Sequence, residues 1–175
     1  MGDENGEIHR FHGRRPFTID EEAMIDFLEL KENMTLLDVG GADGYYAKKI
    51  AARGLRVTII DAYDYDFEGL NEIGIRTIRQ DFCKELNETF DVVFMAHVYH
   101  DLVLSCKEKS LNNLKRVSKR YIANLDFIKD DFGFGPPSSV KLDKGEVVRH
   151  MKGIGFGLKK ETEMPYHYLQ LFSKE

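Results

Sequence analysis

Three aspartates, Asp38, Asp61 and Asp81, each stand at or near the end of a short apolar run, in "MTLLDV", "VTIIDAY" and "TIRQDF". A carboxylate at a strand tip can accept hydrogen bonds from both hydroxyls of a ribose, so three at successive tips point to a nucleoside-bearing ligand. Between the first two lies "GGADG", in which Gly40, Gly41 and Gly44 let the backbone turn tightly and approach a ligand closely. The turn fits neither common phosphate template. G-x-G-x-x-G requires glycine at 40, 42 and 45, where the chain has Gly40, Ala42 and Tyr45, and no Gly-Lys-Ser/Thr of a P-loop follows. The preceding Asp38 also speaks against a bare phosphate. A fourth run, "FDVVFMA", leads into "HVYHD", where His97 and His100 are candidates for a general base. With Asp101 they form only an H-x-x-H pair lacking a third ligand at a recognisable spacing, so no metal site is expected.

The elements that must hold these residues follow from periodicity. "TIDEEAMIDFLEL" has Thr18 three residues before Glu21, a capping box, and then helical spacing at Met24, Ile25, Phe27 and Leu28. The runs at 34–39 and 55–63 are continuously apolar and read as buried strands, with a helix at 45–54 between them that stops at Gly54. A shorter helix over 65–73, a strand in "IRTIRQDF", a fourth strand from Phe90, a helix in "SCKEKSLNNLKRVS" and a strand in "RYIANLDFI" continue the alternation. After the loop 129–141, Asp143 and Glu146 offer a second capping box, and two strand-like runs close the chain as a hairpin. Buried strands alternating with helices predict an α/β fold: a doubly wound, mostly parallel seven-stranded Rossmann-like sheet with an antiparallel edge strand and helices on both faces. Ligands of such sheets bind beyond the carboxyl ends of the strands, where the three aspartates and two histidines fall.

With 175 residues, 42% hydrophobic and 31% charged, the chain suits one domain, read as 17–175 behind a polar tail or lid at 1–16 that includes His9, Phe11 and His12. A formal charge of -5 argues against nucleic acid as the main partner despite the basic clusters "GRR" and "KRVSKR". The amino-terminal stretch carries no apolar run, which predicts no membrane anchor and a cytoplasmic protein. Cys83 and Cys106 match no metal spacing and read as separate, half-buried thiols in a reducing compartment.

Taken in order, "LLDVGGADG", "IIDAY", "RQDFCKEL" and "FDVVFMAHVYHDL" resemble the four motifs of the class I S-adenosylmethionine-dependent methyltransferases. The likeness covers residues 9 to 172 and is nearest to the small methyltransferases of type 11 and of quinone biosynthesis. It implies S-adenosylmethionine as cofactor and S-adenosylhomocysteine as product. Carried over, Gly40, Gly41 and Gly44 would line the methionine end, with Asp38 helping to hold it through water or the first turn. Asp61, next to Ala62, would take the ribose hydroxyls, Asp81 and Phe82 would address the adenine, and Ala96 and His97 would lie against the methionyl portion. Ala42 departs from the family pattern, which has glycine there.

Methyl transfer from a sulfonium is an in-line displacement on an activated donor, so positioning and exclusion of water do most of the work, and a base matters chiefly for oxygen or carbon acceptors. The acceptor expected is a small molecule. Tyr45, Tyr46, Phe127, Phe132, Phe134, Tyr166, His167 and Tyr168 are candidates for an aromatic pocket around it. A domain with few insertions has little room for a cap, so the acceptor is compact or a second copy of the chain, in a homodimer, completes the site. Two other readings stand beside this one: a cofactor-binding module without turnover, and a nicotinamide oxidoreductase, which Tyr45 in place of the helix-packing glycine disfavours.

Overall fold

The computed structural model describes residues 18–175. The tail or lid expected at 1–16 lies outside the described residues. The element order is α1 (Glu21–Phe27), β1 (Thr35–Val39), α2 (Tyr45–Ala51), β2 (Arg56–Asp61), α3 (Phe67–Glu72), β3 (Arg76–Arg79), β4 (Phe90–Ala96), α4 (Tyr99–Val117), β5 (Ser118–Phe127), α5 (Lys144–Gly153), β6 (Phe156–Glu163) and β7 (His167–Lys174). These strands form one seven-stranded sheet in the order β3-β2-β1-β4-β5-β7-β6. The first five are parallel, β7 runs antiparallel to β5, and β6 closes the edge antiparallel to β7. The doubly wound fold is therefore present, and its antiparallel edge is the closing hairpin.

Continuous apolar strands form because both faces are covered. Leu36, Val57, Ile59, Val92, Phe94, Ala123 and Leu125 pack with α1, α2 and α3 residues such as Met24, Ala47, Ile50 and Leu70. The alternate residues Leu37, Val39, Ile60, Val93, Met95 and Ile122 pack on the other face with Leu114 and Val117 of α4 and Val147 and Met151 of α5. Successive side chains of a strand point to opposite faces, so a strand buried on both sides reads as an unbroken apolar run.

The ends of the elements differ from the sequence reading in two places. The cap of α1 is Asp20, whose Oδ1 accepts the Ala23 N–H at 3.0 Å, in place of Thr18. α4 starts at Tyr99 rather than near Ser105 and is broken at Cys106, where φ is -159° and ψ 48°. His100 and Asp101 consequently sit on the first turn of a helix, while His97 occupies the bend between β4 and that helix at φ 57°. The second capping box is partly realised, with Asp143 Oδ1 accepting the Gly145 N–H at 2.8 Å. Among the described residues no helix is long and apolar enough to cross a membrane.

Candidate functional site

The strand order reverses between β1 and β4, and the carboxyl ends of the strands on either side open into a cleft of about 1330 Å³. Its floor is the turn after β1. Gly40 adopts φ 69° and Gly44 φ 79°, both in the left-handed region that glycine enters without steric penalty. A Cβ built on Gly40 would lie 2.8 Å from Val98 Cγ2, and one on Gly41 would lie 2.7 Å from Asp38 Oδ2. The two glycines therefore hold the turn flat against β4 and the Asp38 carboxylate. Gly44 does something else: it does not line the cleft but caps α2, and a Cβ there would strike Leu70 Cδ2 at 2.7 Å. Its role is to let α2 pack on α3. Ala42 also lies in the left-handed region, at φ 51°, and gives its N–H to Asp61 Oδ2 at 3.1 Å.

Asp38 is 2% exposed, and its Oδ2 has no hydrogen-bond partner among the described residues. Burial disfavours its charged form first, and the neighbouring Asp61 and Asp43 charges add to this, so its pKa is pushed up to about 8. A buried carboxyl lacking a partner, set behind two glycines whose Cβ positions are filled, is a cradle for a group that brings a positive charge or donors. Asp61, one strand over, is oriented on both oxygens, by Ala42 N–H on Oδ2 and by Tyr63 N–H on Oδ1 at 3.0 Å. The S-adenosylmethionine geometry expected from the sequence fits these residues: a cationic methionine end at Asp38 and a ribose diol at Asp61.

The next wall is the loop after β3. Asp81 Oδ1 accepts the Cys83 N–H at 2.8 Å, an Asx turn that shapes the loop. Gln80, Asp81, Phe82 and Cys83 all line the cleft, as does Ala62. Two devices bind this loop to α4. Buried Asn113 donates from Nδ2 to the carbonyls of Phe82 and Lys84, both at 2.6 Å, and Cys83 is joined to Cys106 by a disulfide with a Cα–Cα distance of 5.8 Å. The two cysteines are therefore not separate thiols. They are 23 residues apart in sequence, and the crossover from β3 through β4 into α4 brings them together at the kink. The bridge also weighs against the reducing compartment that the cysteine count suggested.

On the opposite side, the bend after β4 and the first turn of α4 present the histidines. Ala96 and His97 line the cleft, the His97 N–H bonds the Leu125 carbonyl at 2.8 Å, and its ring packs 4.7 Å from Phe127 and 4.8 Å from His167. His100, also in the lining, faces buried Asp126 of β5: its Nδ1 lies 2.9 and 3.0 Å from the two carboxylate oxygens. Sequence reasoning passed over Asp126. The available signal was an acidic residue inside the apolar strand "YIANLDF", a position that demands a partner. Of the eight candidate aromatic and histidine side chains, Tyr45, Tyr46 and Phe127 line the cleft. Phe132, Phe134 and Tyr166 pack on one another, His167 packs behind His97, and Tyr168 is buried and donates to the Leu142 carbonyl at 3.2 Å. Thr18, Ile19, Leu104, Pro136, Pro137 and Val140 complete the rim. Among the described residues no group of three or more His, Cys, Asp or Glu side chains could hold a metal ion.

A family model described as a methyltransferase domain matches residues 15–116, the stretch that contains the glycine turn, Asp38, Asp61, Asp81, His97 and His100. The chain belongs to this methyltransferase family. A search of curated proteins finds no match. Among solved structures, a SAM-dependent methyltransferase from Aquifex aeolicus is 27% identical, with a TM-score of 0.78 over 89% of this chain and 90% of that one. Two others share the fold at lower identity. Magnesium protoporphyrin IX methyltransferase from Synechocystis, with bound SAH, is 13% identical with a TM-score of 0.71 over 89% of this chain and 81% of its own. The 1,6-didemethyltoxoflavin-N1-methyltransferase of Burkholderia thailandensis, with S-adenosylhomocysteine and 1,6-didemethyltoxoflavin bound, is 14% identical with a TM-score of 0.71 over 88% and 77%. S-adenosylmethionine is thus the cofactor of this methyltransferase domain, and the class I resemblance seen in the four motifs holds.

Proposed function

We propose that the protein transfers a methyl group from S-adenosylmethionine to a small-molecule acceptor by in-line displacement, with both molecules held in the cleft over the β1–β4 switch point. The observation that carries this reading is the buried Asp38 carboxyl, whose Oδ2 has no hydrogen-bond partner among the described residues, behind Gly40 and Gly41 and in the same cleft lining as Asp61. When bound, the cofactor supplies a methyl group on a positively charged sulfur. The chain's own residues do the rest. Asp38, Gly40 and Gly41 receive the methionine end, Asp61 and Ala62 the ribose, and Asp81 and Phe82 the adenine. Ala96 and His97 form the wall between cofactor and acceptor, with His97 or His100 available as base. A cleft of about 1330 Å³ exceeds what one nucleoside-sized ligand fills, and its lining includes the apolar side chains of Tyr46, Phe127 and the loop prolines. That surplus favours turnover over a binding module. The small-molecule ligand of the Burkholderia structure is in keeping with an acceptor of this size.

Isothermal titration with S-adenosylmethionine, S-adenosylhomocysteine and NAD, on the wild type and on Asp61→Ala, tests the assignment. Charge-assisted hydrogen bonds contribute about 1.5–3 kcal/mol each, so the variant should bind at least tenfold more weakly to the first two ligands. Equal affinity in wild type and variant would remove Asp61 from the site. Preference for NAD would remove the methyltransferase reading.

A further inference from the structure

His100, which lines the cleft, and Asp126 form a buried acid–base pair, and its arrangement is directional. Asp126 is 1% exposed and held on both oxygens: Oδ1 accepts the Phe127 N–H at 2.9 Å and Oδ2 the His100 N–H at 3.3 Å. The same two oxygens lie 2.9 and 3.0 Å from His100 Nδ1. An ionised carboxylate only accepts, so Nδ1 must carry the proton, and in the neutral ring Nε2 is then the acceptor. His100 is itself one of the residues that line the cleft. Asp101, on the same turn of α4, has Oδ1 at 3.6 Å from Nε2, too far for a hydrogen bond.

We infer that Asp126 is the positioning residue of a His100–Asp126 dyad in which His100 Nε2 takes the proton of a hydroxyl-bearing acceptor, so that the transfer is to oxygen. The inference rests on the methyl-transfer reading above and deepens it. Alcohols and phenols largely keep their proton at neutral pH, and a neutral oxygen that attacks while still protonated would leave an oxonium. The proton must go somewhere as the bond forms. The step balances: the acceptor oxygen bonds to the methyl carbon, the carbon–sulfur bond breaks with its electron pair on sulfur, and the O–H proton moves to His100 Nε2. Thiols, which ionise more readily, and neutral amines, which attack through a free lone pair, depend on such a proton acceptor much less. The apolar residues of the cleft lining, Tyr46, Leu104, Phe127, Pro136, Pro137 and Val140 among them, suit an apolar molecule bearing that hydroxyl.

The charged and titratable groups facing His100 are Asp126 from β5, Asp101 from α4 and Lys141 from the loop before α5. Burial pulls the imidazole down, but the hydrogen bond and charge of Asp126, joined by Asp101, outweigh it, with Lys141 opposing. The net effect holds His100 above the ordinary histidine range. The rate should therefore climb as pH rises through that raised value, where the ring loses its second proton.

The test combines nitrogen-15 NMR of histidine-labelled protein loaded with S-adenosylhomocysteine and transfer rates to phenol and to thiophenol, for wild type, His100→Gln and Asp126→Asn. Loss of one signal set in His100→Gln assigns the residue. The expected result has wild-type His100 as the Nδ1–H tautomer above its pKa, and as a mixed tautomer with a lowered pKa in Asp126→Asn. Transfer to phenol should fall about a hundredfold in His100→Gln and about tenfold or more in Asp126→Asn, in keeping with the 10²–10⁴ typical of general bases. Transfer to thiophenol should change less than threefold, with S-adenosylhomocysteine affinity within twofold throughout. An Nε2–H tautomer in the wild type, an imidazolium persisting above pH 9, or equal losses for phenol and thiophenol would each overturn the dyad. Where neither probe turns over, or Asp126→Asn fails to fold, the wild-type tautomer decides. A wild type that binds neither S-adenosylmethionine nor its product would instead overturn the methyl-transfer reading beneath it.

Discussion

Replacing Asp38 with Asn should make the ligand-free protein more tolerant of alkaline pH while weakening its hold on the cofactor. The carboxyl is pushed from 3.8 up to about 8, by burial first and then by Asp61 and Asp43. A group whose folded value lies above its unfolded value binds its proton more tightly in the folded state. Its contribution is therefore favourable at low pH, declines as pH rises from the unfolded value, and levels off above about 8. One pKa unit corresponds to about 1.4 kcal/mol, so the full displacement has a ceiling of roughly 6 kcal/mol; with relaxation around the buried group, about 2–4 kcal/mol is the working expectation. Asn cannot ionise and escapes this loss. Urea denaturation of wild type and Asp38→Asn from pH 5 to pH 9 should show the difference between the two shifting in favour of Asn by that amount, other titrating groups being common to both. A cation arriving at Asp38 draws the carboxyl back to its charged form, so wild-type affinity for S-adenosylmethionine should rise with pH up to about 8 and that of Asp38→Asn should stay flat and at least tenfold weaker. Parallel stability curves for the two proteins would refute the reasoning, because they would mean that Asp38 is solvated or partnered.

The disulfide and the glycine turn give two further expectations. Reduction, or Cys106→Ser, opens a ring with a sequence separation of 23, which by chain entropy should lower stability by roughly 3 kcal/mol and the melting temperature by about 10 °C; two titratable thiols in unreduced, denatured protein would refute the bridge. Restoring glycine at Ala42 removes a left-handed alanine at φ 51° and should raise stability by roughly 0.5–1 kcal/mol, whereas Gly40→Ala adds a Cβ 2.8 Å from Val98 Cγ2 at φ 69° and should lower it by about 2 kcal/mol or more. Thermal melts that move both variants in the same direction would contradict the observed backbone.

The features that could be read from the sequence are the local ones. The apolar runs of β1, β2, β4 and β5 announce strands buried on both faces, and Asp38, Asp61 and Asp81 need only the ends of β1, β2 and β3 to be located. What escaped depends on residues distant in sequence. His100 gives no sign that Asp126, 26 residues on, will hold its ring, and Cys83 gives none of Cys106, since in each case a crossover makes the contact. The three glycines look alike in sequence, but their tasks separate only when their neighbours are known: Val98 for Gly40, Asp38 for Gly41 and Leu70 for Gly44. The start of α4 was missed for a local reason. Val98 is a poor cap, and "HVYHDL" continues the apolar run of β4 without a break.

The hydrogen bond from Ala42 N–H to Asp61, together with Gly40 N–H on the Ile60 carbonyl at 2.8 Å, ties the turn after β1 to the tip of β2. On the assignment proposed above, the seats for the amino-acid half and the nucleoside half of the ligand would be two jaws on one hinge. If adenosine sits at Asp61 as proposed, it should steady the turn proposed to receive the other half, and the two halves of the molecule should then bind with a shared coupling free energy rather than as independent fragments. A change confined to one jaw is felt at both.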